Sequence, residues 1–410
     1  MTESKCRFCN ESLETSFVDL GFTPLSNSYL KKQDLENKER IFPLHAFICK
    51  NCLLVQLEEF EKPENIFSDY AYFSSYSKTW IEHARKYSEL MISNLKLNES
   101  SQVIEVASND GYLLQFFKNK KIPVLGIEPA QNVAKVAQEK DIPTISRFFG
   151  VEFAKELAEK GVFADLLLGN NVLAHVPDIN DFVEGLKIIL KKRGIITLEF
   201  PHIFQLIKNN QFDTIYHEHF SYFSFYTVQK IFSHHKLRIF DVEELSTHGG
   251  SLRIYVKHED DESKQISDNV EKLNLKEKNF GCDDIEKYKI FQKNVEKIKE
   301  DVNDFFVKAM DQNKKVVGYG APAKGNTLLN YCGINNKMME FTVDISEHKQ
   351  GLFLPGTHIP IFNPSKIQDS KPDYVFILPW NLKNEIMKQL EFIREWGGKF
   401  VIPIPEVKIL

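Results

Sequence analysis

Twice in this chain a short apolar run breaks into a turn of small residues and enters a helix, and a carboxylate follows about 20 positions later at the end of a second apolar run, the layout by which α/β domains hold nucleosides. The first passage reads Gln102-Val-Ile-Glu105-Val-Ala107-Ser-Asn109-Asp110-Gly111, continues into a helix over residues 112–119, and reaches Glu128 after a strand over 123–127. The second reads Lys315-Val-Val-Gly318-Tyr-Gly320-Ala-Pro-Ala-Lys324-Gly325 and reaches Asp344 after a strand over 339–343. A chain built on this passage is committed to parallel strands with helices on their faces.

The alternation continues between the two passages, with helices over 151–159 and 179–190 and strands over 165–168, 194–200, 237–243 and 251–257, the last two joined by a THGGS turn. Ligands of such sheets bind beyond the C-terminal ends of the strands, here Ser108 to Gly111, Glu128, Asn170 to His175, and Glu199 to His202. The first turn puts Ala107, Asn109 and Gly111 where a dinucleotide fold would carry GxGxxG, so a ligand without phosphates fits it better. S-adenosylmethionine is such a ligand. Glu128 would take its ribose, Glu105 or Asp110 would face its cationic methionine end, and Asn170 and Asn171 close the next strand end. In the second turn Gly318, Gly320 and Lys324 stand where amides and a cation can meet phosphates. Residues 259–281 read as a charged linker or exposed helix, and 285–311 as one long helix with an apolar stripe through Ile290, Val295, Ile298 and Val302.

Four of the six cysteines form two Cys-x-x-Cys pairs, Cys6 with Cys9 and Cys49 with Cys52. Four thiolates complete a tetrahedral Zn²⁺ shell with no open position, so the metal is expected to staple a small module and take no part in chemistry. A net charge of −5 and 27% charged residues give no basic excess for nucleic acid. The N-terminus has no apolar signal, and no run of 18 apolar residues occurs, which points to the cytoplasm and away from membranes.

Residues 213–222, DTIYHEHFSY, crowd carboxylates, imidazoles and phenols into an apolar neighbourhood that includes Phe212, Ile215, Phe220, Phe223 and Phe225. Such groups are costly to bury without a purpose. His217 and His219 are two apart, which excludes the i, i+4 pair of a helical zinc site. On an extended segment Tyr216, Glu218 and Phe220 point one way and His217, His219 and Ser221 the other, so both imidazoles share a face and either can act as a base near neutrality. Upstream, DYAYFSSYS offers Tyr70, Tyr72 and Tyr76, which line a site or join two domains, and a helix over 78–94 follows. His175 in NVLAHVPD lies at a strand end and converges on the same crevice.

Both cysteine pairs together with EVASNDGYLL, GIEPAQNVA, NNVLAHVPD, FDTIYHEHFSY, STHGGSLRIY, GYGAPAKGNTLLNY and PWNLKNEI make the sequence resemble, over nearly its whole length, the zinc-containing nucleotide-sugar C-methyltransferases of deoxysugar biosynthesis. The resemblance implies an α/β protein with a zinc-binding module over 1–68, a class I Rossmann-like methyltransferase domain over 69–258 and a C-terminal Rossmann-like domain over 259–410 that binds the nucleotide sugar. It also implies S-adenosylmethionine as donor, structural Zn²⁺, and an NDP-4-keto-deoxysugar, dTDP- or GDP-linked, methylated at C-3 or C-5 beside the ketone. A ketone acidifies the neighbouring C–H and stores charge as an enolate, so a base and an oxyanion donor are required. The base is assigned to His219, partnered by Glu218 and Tyr216 where the segment bends out of strand geometry, with His217 as the alternative. His175, Tyr70 and Tyr222 are enolate or sugar contacts, and Tyr72 and Tyr76 line the sugar site. Gly320, Lys324 and Gly325 would grip the diphosphate, with Asp344, Trp380 and Asn381 near base and ribose. A monomer or weak homo-oligomer without nucleic-acid or membrane partners is expected. Two other readings are an O- or N-methyltransferase of a nucleotide-linked sugar and a zinc-knuckle binding or scaffold protein.

Overall fold

The computed structural model describes residues 4–60, 74–76 and 78–410. Its centre is a seven-stranded sheet in the order Leu237–Leu245, Ser251–His258, Leu190–Pro201, Ala164–Asn170, Val103–Val106, Val124–Ile127, Thr144–Ile145. The two pairings made by Ser251–His258 are antiparallel and the others parallel. A second sheet, of six strands, runs Ile361–Phe362, Thr342–Val343, Val316–Tyr319, Tyr374–Ile377, Lys399–Ile402, Lys408–Ile409, with only the last pair antiparallel. In both sheets the strand that opens the unit lies between the second and a later strand. The order therefore reverses beside Val103–Val106 and beside Val316–Tyr319, where a doubly wound sheet leaves its crevice.

The N-terminal module is a small antiparallel sheet, Thr15–Thr23, Phe42–Ile48 and Val55–Leu57, completed by Ser221–Tyr222 from the DTIYHEHFSY segment. Its apolar face does not form a core of its own. Phe17, Val18, Leu44 and Ile48 lie in one cluster with Phe291, Val295 and the C-terminal sheet, and Phe17 stacks on Phe291 at 4.8 Å. The cysteine end instead packs on the central sheet, with Cys6, Cys49 and Cys52 in its apolar cluster. The module thus bridges the other two parts.

Two expectations change at the C-terminal side. Residues 259–281, expected as a charged linker or exposed helix, contain the helix Asp268–Phe280, capped by Ser267 and ended by left-handed Gly281, and it is not wholly exposed. Its Glu277 is buried: the carboxylate accepts from His202 Nε2 at 2.6 Å and from the amides of Phe225 and Tyr226 at 2.6 and 2.9 Å, closing the N-terminus of the helix Phe225–His234. The expected long helix is two, Ile285–Lys289 and Phe291–Asp311, and Ile290 at the break is exposed although it was counted in the apolar stripe. Val295, Ile298 and Val302 are buried as expected.

Candidate functional site

The four cysteines meet. Their sulfurs lie within 4.8 Å of one another, with Cys6 to Cys52 at 3.5 Å and Cys9 to Cys49 at 3.4 Å. An ion holding four sulfurs tetrahedrally at about 2.3 Å would separate them by roughly 3.8 Å, so the cluster fits zinc. Each knuckle turns the same way: the residue after its second cysteine, Asn10 or Leu53, is left-handed, and its amide donates to the carbonyl of the first at 2.9 Å. Four sulfurs complete the shell of such an ion, which leaves no open position on it for a substrate.

At the first strand–turn–helix passage, Ala107, Asn109 and Gly111 have φ of 58°, 49° and 74°. All three positions of the altered glycine pattern are left-handed although only one is glycine. At Gly111 a Cβ would stand 2.3 Å from Ile142 Cδ1, so that glycine admits close packing of the following segment. Glu128 accepts from the amides of Asn109 and Ala130, both at 2.9 Å, and faces the turn as a ribose ligand would. Glu105 is fully buried, and neither of its oxygens meets a donor at bonding distance among the described residues, the nearby Tyr112 only easing its charge. Burial, then Glu128 and Asp110, push its carboxyl well above the usual range. Asp110 accepts from Lys140 at 3.2 Å. A buried acid with unmet acceptors suits a cationic ligand such as the methionine end of S-adenosylmethionine. Asn170 donates to the Tyr112 hydroxyl at 3.3 Å, and Asn171, left-handed, donates to His248 Nε2 at 3.0 Å.

The DTIYHEHFSY segment is clamped by all three parts of the chain: Ser221 pairs with Gln56, Thr327 Oγ1 donates to the Ile215 carbonyl at 3.0 Å, and Asn27 donates to Glu218 at 2.6 Å. It is not extended. The His219 amide donates to the Tyr216 carbonyl at 2.9 Å in a turn. The two imidazoles therefore do not share a face: His217 Nε2 donates to the Pro43 carbonyl at 3.0 Å under Phe42, while His219 lies beside Tyr216 and packs edge-on to His175 at 4.7 Å. His219 Nδ1 donates to the Thr214 carbonyl at 3.1 Å, which leaves Nε2 as an acceptor for the Tyr216 hydroxyl at 2.9 Å. Burial, then His175, hold its pKa well below the ordinary value, so the ring is a neutral base. Burial lowers His175 to about 4 and raises Glu218 to about 7 against Asn27 and Lys349. Tyr222 is buried with its hydroxyl unmet among the described residues. Tyr70, Tyr72 and the side chain of Tyr76 lie outside the described residues.

In the second passage Asp344 repeats what Glu128 does in the first, accepting from the turn amide of Ala321 at 2.7 Å and from Ser346, two residues on, at 2.8 Å. Gly320 has another role than the one expected. The Gly320 amide donates to Val343 O at 2.6 Å and its α-carbon faces Pro379, while Gly325 seats the helix Ala323–Cys332 against Leu378, so both shape the turn and neither Gly320's amide nor its face is open to a phosphate. Lys324 is the cation of the turn, bonded to Asn381 and 4.2 Å from the Trp380 ring. Trp380 Nε1 donates to Asp213 at 2.6 Å, which joins the C-terminal domain to the DTIYHEHFSY segment. Burial brings Lys324 down to about 8 and Asp213 up to about 6, each opposed by the other.

Glu199 was expected at a ligand-binding strand end, but its partners were not. Glu199, at the end of its strand, bonds to His83 at 2.8 Å, Arg253 at 3.0 Å and Thr247 at 2.8 Å, and although burial opposes it, these hydrogen bonds and the Arg253 charge hold it below the usual carboxylate value. The signal was a Glu and an Arg inside the apolar runs TLEFP and LRIYV. Asn27, Lys349 and His248 left no such mark, and Asp213, although it opens the DTIYHEHFSY stretch, gave no sign of its bond to Trp380.

Family models match the chain in three successive stretches: "Putative zinc binding domain" over 6–67, "Methyltransferase domain" over 80–240 and "C-methyltransferase C-terminal domain" over 246–405. The sequence is 34% identical over 406 residues to the C-methyltransferase NovU of Streptomyces niveus, spanning 99% of this chain and 96% of that protein. Among solved structures, an S-adenosylmethionine-dependent methyltransferase of Clostridium acetobutylicum aligns at 11% identity and TM-score 0.35 over 43% of this chain and 92% of that one. Another, from Anabaena variabilis, aligns at 16% identity and TM-score 0.35 over 42% and 83%.

Proposed function

The chain belongs to the S-adenosylmethionine-dependent C-methyltransferases with a zinc-binding cysteine module, and on that premise we propose that it methylates the carbon beside the ketone of an NDP-4-keto-deoxysugar, with His219 as base. The observation that carries this reading is the His219 ring: neutral, fixed between Thr214 O and the Tyr216 hydroxyl, in a segment that all three parts of the chain hold. S-adenosylmethionine supplies an electrophilic methyl group on sulfonium. Glu128 would hold its ribose and Glu105 its cationic end, while Lys324 would meet the diphosphate with Trp380 and Asn381 beside it. Binding the remote nucleotide in this way fixes the reacting carbon. His219 Nε2 then takes the proton, the Tyr216 hydroxyl giving way, and an anionic ligand in the cleft favours the imidazolium that forms. Donor binding is assigned to residues 69–258 and nucleotide binding to 259–410.

Among the described residues no helix is long and apolar enough to cross a membrane, and we place the protein in the cytoplasm as a monomer or weak homo-oligomer. The reading is tested by incubating the zinc-loaded protein with methyl-labelled donor and a set of dTDP- and GDP-linked 4-keto-deoxysugars. Label on a ring carbon, located by NMR after mass-spectrometric detection, is expected. Label on oxygen or nitrogen would refute the ketone chemistry.

A further inference from the structure

His248, in the THGGS loop, is a histidine that the mechanism above leaves without a task. Its φ of 53° is left-handed, and Gly249 and Gly250 follow with φ of 93° and 125°. A histidine in that region is strained by about 1–2 kcal/mol and persists only where its surroundings fix the turn. They do so here. A Cβ at Gly249 would come within 2.7 Å of Trp380 Cη2 and one at Gly250 within 2.5 Å of Gln205 Cγ, Gln211 donates to Gly249 O at 2.8 Å, and Thr247 donates to Glu199 at 2.8 Å. The loop thus sets the imidazole edge-on to Trp80 at 5.2 Å and beside Asn171, within electrostatic reach of both His219 and Lys324. Nε2 accepts the Asn171 amide at 3.0 Å, which puts the ring proton on Nδ1. That nitrogen has no partner among the described residues, and the side chain is open to solvent.

We infer that His248 is a further catalytic residue, whose Nδ1–H donates to the ketone oxygen of the acceptor and holds the enolate while His219 removes the proton. The inference rests on the ketone reading above. In the step, the C–H bond breaks, its proton goes to His219 Nε2, and its electron pair forms the C=C bond as the carbonyl pair moves to oxygen under the His248 N–H. When that carbon forms its bond to the donor's methyl group, the methyl–sulfur bond would break with its pair going to sulfur, the enolate pair is spent, the carbonyl returns, and His219 then gives up the proton to solvent. Because Nε2 accepts the Asn171 amide, the ring is neutral with its proton on Nδ1, and this donor stays in place through the step.

The test compares two isosteric substitutions, His248→Asn and His248→Asp. Both side chains tolerate left-handed backbone, and both lose the bond to Asn171, but only Asn presents an N–H near the position of Nδ1. With a 4-keto-deoxysugar nucleotide and S-adenosylhomocysteine in deuterated buffer, the Asn variant is expected to wash deuterium into the acidic carbon within about tenfold of native and the Asp variant about 10²–10³-fold more slowly, with methyl transfer falling in parallel. Calorimetry should give near-native S-adenosylhomocysteine affinity for both, which separates lost chemistry from lost fold. An Asp variant as fast as the Asn variant, or faster, overturns the donor role. If native protein methylates its acceptor but exchanges no deuterium, the ketone reading fails and this inference with it; exchange in native protein alongside equal variants overturns this inference alone.

Discussion

Glu105→Gln separates the two things the donor pocket does to the chain. The native carboxyl is raised by burial and by Glu128 and Asp110, so the folded chain holds a proton there that the unfolded chain releases. The stability this contributes is fully present below the unfolded value of about 4.3 and is lost at up to about 1.4 kcal/mol per pH unit as pH rises toward the folded pKa. Gln keeps the shape, never charges, and removes that slope. The ligand-free variant is therefore expected to melt higher than native near neutral pH, by about 1–3 °C for each unit of slope removed in a chain of this size. Donor binding should move the opposite way. A hydrogen bond to a charged group contributes about 1.5–3 kcal/mol, so the variant is expected to bind S-adenosylmethionine roughly 10- to 150-fold more weakly. Native binding should also release a proton from this carboxyl, read by calorimetry in buffers of different ionisation enthalpy, and the variant should not. Equal affinity together with equal proton release would refute a cation-facing Glu105.

Cys49→Ser should lose the bound zinc, read by elemental analysis, and lower the melting temperature of the whole chain, because the cluster lies in the core shared with the central sheet; undiminished zinc would refute a four-cysteine site. Glu128→Ala should weaken donor binding and leave nucleotide-sugar affinity alone, and Lys324→Ala should do the reverse; exchanged phenotypes in calorimetry would mean the two crevices are swapped. His219→Asn should lower turnover by roughly 10²–10⁴-fold with both ligands still bound. Native-rate deuterium exchange in that variant would move the base to another group.

The parallel sheets were legible because their determinants are local. Apolar runs such as VIEV and VLGI, followed by turns that need left-handed backbone, mark strand ends wherever they occur. What joins the parts was not legible, since a contact between residues hundreds of positions apart leaves no period in either segment. Phe17 reads as an ordinary strand residue until it stacks on Phe291. The buried face of the helix Asp268–Phe280 escaped for a related reason: pattern reading sends every Glu to solvent, and here Glu277 is among the few inward residues because His202 and two helix amides satisfy it.

The choice between the two imidazoles turns on the same limit. Period-two alternation assigns His217 and His219 to one side only if the backbone is extended, and the residues themselves oppose that: Asp213 is drawn to Trp380 and Ser221 to Gln56, two anchors on different domains. Between them the chain must bend, and the bend it takes, His219 amide to Tyr216 carbonyl, brings together side chains three apart instead of two. Tyr216 and His219 then meet, and His217 turns out to the Pro43 carbonyl. Because the Thr214 carbonyl comes from the same bend and fixes the proton on Nδ1, the tautomer that exposes a basic Nε2 is a consequence of the turn. A substitution that straightened this segment would put the proton on the wrong nitrogen even with every side chain retained.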